Sequence, residues 1–350
     1  MRDLPLRRVV TPRGAFAVRE VGPAEGRPLI LVHGNVSSGR FFSAFAASLV
    51  EASGGRLRVI APDLRGYGDT EAGPIDATRG VRDLSDDLIA LAEALELDRA
   101  AWFGWSMGAA VVMQLTMDRP GLVTHLILQA PVSPVGFGGT QGVHGGPNAE
   151  DFAGSGGGVA SPDFCRLLAQ GDRSADAQQS PRSVLRAFYF KPGFALPEDE
   201  EDALVDAMLK GKLGPGYYPG DFTPSTSWPG VAPGDSGINN AISPKHLDLR
   251  AFGRVKAGPP VLWIRGADDS IVSDTSAFDL AYLGSLGFVP GWPGAETCPP
   301  QPMVTQMKAV LDEYAQAGGQ VDNLVLNDCG HSPHIERPDE VRAELLRLLG

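Results

Sequence analysis

Short apolar runs alternate with helix-period segments along most of this chain, and that alternation constrains its fold more than any other feature. The runs are residues 28–33, 57–61, 100–105, 123–129 and 260–264, with a last strand at 321–326. Helical period appears at 41–51, at 80–97, from Met107 onward, near 275–283, at 303–317 and at 338–349. A strand that is apolar at every position is buried on both faces, as happens where helices cover both sides of a parallel sheet. Strand–helix–strand units join parallel neighbours by right-handed crossovers. The pattern therefore predicts an α/β protein with a mostly parallel, doubly wound sheet. Residues 7–21 add a hairpin around the turn Thr11-Pro12-Arg13-Gly14.

The alternation stops after Ala130 and resumes near residue 260. At 350 residues the chain is long for one domain. Because the same pattern returns, the division expected is one α/β core (1–131 and 248–350) interrupted by an insertion (132–247). The insertion holds 11 of the 26 aromatic residues, enough to pack a core of its own, and ten glycines fall between Gly136 and Gly158. Gly154-Ser-Gly-Gly-Gly158 lacks the Lys-Ser/Thr that a phosphate loop needs, so these glycines read as a hinge.

Composition excludes several functions. Thirty Lys+Arg against 42 Asp+Glu give a net charge of −12, the wrong sign for a face that holds nucleic acid or an anionic membrane. Three scattered cysteines, Cys165, Cys298 and Cys329, build neither a disulfide framework nor a zinc knuckle. The opening MRDLPLRRVV lacks the apolar stretch of a secretory signal, so a cytoplasmic location is expected. The uncharged run from Ala100 to Met117 contains Gly104, Ser106, Gly108 and Gln114, which suit strand, turn and helix better than a membrane span. His331-x-x-His334 has no acidic partner at metal-ligand spacing; neither a metal nor a cofactor is expected.

The chemistry lies at three strand ends. Gly104-Trp105-Ser106-Met107-Gly108 is a G-x-S-x-G directly after a strand and directly before a helix, a sharp turn that thrusts the Ser106 hydroxyl out at the sheet's C-terminal edge. Gly266-Ala267-Asp268-Asp269 follows the strand at 260–264, and Gly330-His331 follows the strand at 321–326. A serine hydroxyl is a poor nucleophile unless an imidazole, oriented by a carboxylate, takes its proton. Six histidines compete for that role. His33 precedes Gly34 in a loop, His125 lies inside a strand, and His144 and His246 belong to the insertion or its edge. His331 is favoured, with His334 its one rival.

These residues resemble the α/β-hydrolase fold proteins. The resemblance covers most of the chain outside the insertion. It rests on His33-Gly34-Asn35, Asp63-Leu64-Arg65-Gly66-Tyr67-Gly68, the Ser106 turn, Gly266 to Asp269, and Gly330-His331 with Glu336-Arg337-Pro338. It implies Ser106 as nucleophile, Asp269 as acid and His331 as base, with the backbone N–H groups of Asn35 and Met107 as the oxyanion hole. The family commonly has proline four residues after the acid; here that position is Ser273, which leaves Asp268 open as an alternative. Dehalogenases and epoxide hydrolases of the family use an aspartate nucleophile, so serine disfavours both.

An insertion at this point of the fold forms a cap, which excludes water and supplies apolar walls. The activity expected is hydrolysis of a carboxylic ester or lactone of a small hydrophobic molecule. Carbon–carbon bond hydrolysis of ring-cleavage diketones is the alternative, and a capped ligand-binding receptor with slow turnover is another. Residues 283–303, with Glu296 their one ionising group, are expected to add a wall to the pocket.

Overall fold

The computed structural model describes residues 3–350. Eight strands form one sheet: β1 (Leu6–Thr11), β2 (Gly14–Val21), β3 (Arg27–Val32), β4 (Leu57–Pro62), β5 (Ala100–Trp105), β6 (Val123–Gln129), β7 (Val261–Gly266) and β8 (Val321–Leu326). Their spatial order is β1-β2-β4-β3-β5-β6-β7-β8. Only β2 runs against its neighbours β1 and β4; all other pairs are parallel. From β3 the chain steps outward to β4 and then back across to β5. The sheet's direction of growth thus reverses between β3 and β5, and a crevice opens beyond the C-terminal ends of strands at such a switch point.

Seven longer helices accompany the sheet: α1 (Ser43–Ala52), α2 (Arg82–Ala94), α3 (Met107–Asp118), α4 (Pro162–Gln170), α5 (Glu198–Leu209), α6 (Met303–Gln316) and α7 (Pro338–Leu349). Every residue of β5 is buried, as its unbroken apolar sequence demands. No helix among the described residues is long and apolar enough to cross a membrane; the uncharged run at 100–117 is β5, the turn at Ser106 and α3.

One expectation needs correcting. The helix expected near 275–283 begins only at Leu280 and ends at Ser285. Before it, the Ser273 and Ser276 hydroxyls accept the N–H groups of Thr275 and Phe278, and the Asp279 carboxylate accepts that of Ala281. Such local bonding competes with helix. Several glycines of 136–158 allow close approach. A Cβ on Gly136 would lie 2.4 Å from the Pro244 nitrogen, and one on Gly156 2.4 Å from Asn240 Oδ1. Gln301, from the proline-rich run, accepts the N–H of Gly138 and donates to the carbonyl of Gly136.

Asp63 and His33, buried at the ends of β4 and β3, have their polar atoms matched. Asp63, just after β4, is fully buried and accepts from Arg19 Nη1 (3.0 Å), Gly39 N (2.8 Å) and Asp69 N (3.0 Å). His33 lies 2.8 Å from the Gly34 carbonyl through Nδ1, while its Nε2 accepts the Leu64 N–H at 2.9 Å. The proton is therefore on Nδ1. His334 takes the other tautomer: its Nδ1 accepts from Gln129 Nε2 at 2.7 Å, and its ring packs 4.6 Å from that of Phe42. Burial pushes the His33 pKa down to about 4 and that of His334 to about 3.

Replacing Asp63 by Ala leaves Arg19 with only the half-exposed Asp3 as ion-pair partner and two N–H groups without their acceptor. A loss of about 3–5 kcal/mol is expected in urea unfolding; an unchanged midpoint would show the pair to be dispensable. The two histidines stay neutral when folded but take up protons at the ordinary pH of about 6.5 when unfolded. Their stabilisation is full above that pH and is lost as pH falls toward their folded values. For His334→Gln, the stability lost between pH 6.5 and 5 should be shallower than wild type by about 1.4 kcal/mol per pH unit. Parallel curves would contradict a neutral, buried His334.

Candidate active site

β5 ends at Trp105, and Ser106 turns the chain with φ 57° and ψ −120° before α3 begins at Met107. A positive φ is a strained conformation for a side-chain-bearing residue and needs support from its surroundings. Its N–H donates to the Gln129 carbonyl at 2.9 Å, and its own carbonyl accepts from Ala109 N and Val132 N. Three glycines clear the space. A Cβ on Gly104 would be 2.5 Å from Ala109 Cα, and one on Gly108 would be 2.4 Å from the Val32 carbonyl oxygen. Gly34 lies against the serine itself, its would-be Cβ 3.0 Å from Ser106 Cβ. The half-buried hydroxyl makes no hydrogen bond among the described residues.

Asp269 and His331 meet at the neighbouring strand ends. Asp269 Oδ2 is 2.8 Å from His331 Nδ1, and the two side chains are only 3% and 2% exposed. Asp269 Oδ1 accepts the N–H groups of Ile271 (2.8 Å) and Val272 (3.0 Å), which fixes the carboxylate's orientation. Asp268 is 44% exposed and faces Lys191 at 3.8 Å. Adjacent in sequence, the two aspartates are thus separated by burial, and Asp269 is the one paired with His331. The imidazole stands beside the serine turn: Trp105 Nε1 donates to the His331 carbonyl at 2.8 Å, and the two rings are 5.7 Å apart. His334 is instead bonded to Gln129 and packed on Phe42.

Glu336 organises the His331 loop. Its buried carboxylate accepts the N–H groups of Gly330 (2.9 Å) and Ser332 (3.1 Å), on either side of the histidine, and that of Lys191 (2.7 Å) from the insertion. Burial raises its pKa. Nothing in the sequence assigned Glu336 this work; its place in the Glu336-Arg337-Pro338 match was the one signal.

The loop after β3 presents Asn35 beside Ser106. The Gly34 carbonyl is held by His33 Nδ1 and by the Ser37 hydroxyl, each at 2.8 Å. A trans peptide is planar, so the Asn35 N–H of that same unit points the opposite way. The Met107 N–H is at the first position of α3, where no acceptor exists within the helix. The Asn35 side chain is clamped: Oδ1 accepts from Tyr67 Oη (2.5 Å) and Val36 N (2.9 Å), and Nδ2 donates to Asn239 Oδ1 (2.9 Å). Tyr189, in a π-helical turn of the insertion (Leu185–Tyr189), donates to the Asn35 carbonyl at 2.9 Å. Its ring lies edge-on to those of Trp105 (5.9 Å) and His331 (6.2 Å). Neither Tyr189 nor Asn239 had any distinguishing sequence pattern.

A cleft of about 700 Å³ elsewhere, lined by Val135, His144, Arg250, Arg254 and Glu313, includes none of these residues.

The magnesium-chelatase 30 kDa subunit of Rhodobacter capsulatus is 34% identical over 119 residues, 34% of this chain and 40% of that protein. The pimeloyl-[acyl-carrier protein] methyl ester esterase of Aliivibrio salmonicida is 30% identical over 179 residues, 48% of this chain and 60% of that one. The chain thus spans about half the length of these curated relatives. An esterase from Exiguobacterium antarcticum superposes with a TM-score of 0.59 over 97% of each chain at 16% identity, a likeness of fold. The model of the alpha/beta hydrolase family matches residues 29–344. A match over nearly the whole length, on a sheet whose growth reverses beside the serine turn, places the chain in the alpha/beta hydrolase family.

Proposed function

We propose that this protein is a serine hydrolase that cleaves a carboxylic ester or lactone of a small hydrophobic molecule. The observation that carries this reading is the buried 2.8 Å pair of Asp269 and His331 beside the strained turn that exposes Ser106. With Nδ1–H donated to Asp269, the imidazole keeps Nε2 as the basic nitrogen. His331 takes the proton of Ser106 as the hydroxyl oxygen attacks the substrate carbonyl. The carbonyl π electrons move onto oxygen, and that oxyanion is met by the N–H groups of Asn35 and Met107, each worth about 3–4 kcal/mol to such a transition state. His331 then protonates the leaving alcohol, and the C–O bond breaks to give an acyl-Ser106. A water deprotonated by His331 attacks that acyl group and releases the acid and the free enzyme.

Residues 132–247 act as a cap over this site. Tyr189 against His331 and Trp105 supports that reading, and it supplies an apolar wall suited to a hydrophobic substrate. The name of the Aliivibrio relative, a methyl ester esterase, points to the same bond type.

The test is intact-mass analysis after exposure to a fluorophosphonate, paired with p-nitrophenyl butyrate hydrolysis. Wild type should gain one stoichiometric adduct, and Ser106→Ala none. Asp269→Asn should keep the serine but lose about 10⁴-fold in kcat, because the imidazole then favours the wrong tautomer. Asp268→Asn, on the surface, should behave as wild type. A folded wild type that gains no adduct would overturn the reading, and equal losses at both aspartates would overturn the assignment of Asp269.

A further inference from the structure

We propose that Tyr189 is a positioning residue for the oxyanion hole, so that the hole is complete only while the insertion is seated on the core. The inference rests on the serine-hydrolase reading above and adds a residue that lies outside the triad and outside the hole's own N–H donors.

Two consecutive peptide units connect Tyr189 to the N–H assigned to the oxyanion. The first, between Gly34 and Asn35, carries the N–H assigned to the oxyanion. Its carbonyl is held from within the core by His33 and Ser37. The second, between Asn35 and Val36, shares the Asn35 Cα and is held at both ends. Its N–H donates to Asn35 Oδ1 at 2.9 Å, and its carbonyl accepts from Tyr189 Oη at 2.9 Å. That second unit is under strain, since Val36 has φ 45°, a left-handed value that a β-branched residue rarely adopts. Strained backbone relaxes unless its surroundings hold it. The Tyr189 hydroxyl, also 3.4 Å from the Val36 carbonyl oxygen, caps both sides of the strained residue.

Tyr189 is well placed to transmit the position of the insertion. It is buried and packed against Phe41, Trp105 and His331, all core residues. Two residues on, the Lys191 N–H is bound by Glu336, which also holds the N–H groups flanking His331. A second arm from the insertion, Asn239, grips the Asn35 side chain from another direction. Withdrawal of the insertion would remove both contacts from Asn35 and leave only Tyr67 and the core peptide bonds to hold it.

Tyr189→Phe removes one oxygen and keeps the ring. The expected result with p-nitrophenyl butyrate is a fall in kcat of about ten- to a hundredfold, the size of a small misplacement of catalytic groups, with KM within about twofold of wild type. The fluorophosphonate reaction should slow by a similar factor, because it also builds negative charge on an oxygen facing Asn35 and Met107. The pH–rate profile should superimpose on wild type, since the base is untouched. Asn239→Ala should slow kcat in the same way. The double variant should be no slower than the worse single one, because both act through Asn35.

Wild-type kcat and labelling rate in Tyr189→Phe would overturn the proposal. So would a loss confined to KM, which would make the tyrosine a pocket wall, or full additivity with Asn239→Ala. If Tyr189→Phe fails to fold, Asn239→Ala alone decides: slowed kcat at unchanged KM supports the proposal, and wild-type kcat overturns it. Absence of any adduct in wild type would instead overturn the hydrolase reading itself.

Discussion

A serine held at φ 57° at the end of a buried strand is the constraint on which the rest of this structure depends. The turn is tolerated only because neighbouring backbones come close enough to hold it, and they can do so only where side chains are missing. Gly104 and Gly108 let β5, α3 and the end of β3 approach to contact distance, and Gly34 lets the following loop lie against the serine. That approach falls at the switch point between β3 and β5. The loop beside Ser106 is therefore the one that can present a backbone N–H to a group bonded to the serine. Strain, topology and donor placement are one arrangement.

The loops around this turn are organised by buried carboxylates of similar design. After β4, Asp63 gathers two N–H groups and the Arg19 guanidinium. After β7, Asp269 gathers two N–H groups and the His331 ring. Beyond β8, Glu336 gathers three N–H groups, two flanking His331 and one from the insertion. A carboxylate in a dry interior is costly unless its lone pairs are filled, and N–H groups from irregular loops are costly unless accepted. Each carboxylate solves both problems at once and fixes a loop without regular secondary structure. Asp269 differs from the others in that one of its partners is an imidazole, and in the proposed mechanism that partner is the base.

Much of this was legible in the sequence. The strands at 100–105 and 123–129 fall where apolar runs place them, because burial on both faces admits little else, and the edge strand at 321–326 and the helix at 338–349 fall where their periods place them. Ser106 and His331 stood out by their place after strands. Asp269 was preferred only through the family resemblance and Asp268 stayed open, since the same side chain occurs twice in succession and burial is what separates them. His334 was the one rival to His331, and its ring is packed on Phe42 and bonded to Gln129. The insertion was illegible for a different reason. Its residues are placed by long-range contacts rather than by period, so Tyr189 and Asn239 carry no local mark, and glycines that serve close packing look like glycines that serve motion.

The attachments of the insertion bear on selectivity. In the proposed mechanism its segment from Tyr189 to Lys191 contacts the loop that carries the oxyanion donor and, through Glu336, the loop that carries the base. A substrate that fits beneath a seated insertion meets both loops in place. One that keeps the insertion displaced meets an Asn35 peptide released from the Tyr189 hydroxyl. Two such substrates can be bound equally well and still be turned over at different rates, because interactions realised only in the transition state govern kcat. Selectivity built this way requires no polar group that recognises the substrate. In this site two polar side chains of the insertion, Tyr189 and Asn239, are both committed to Asn35.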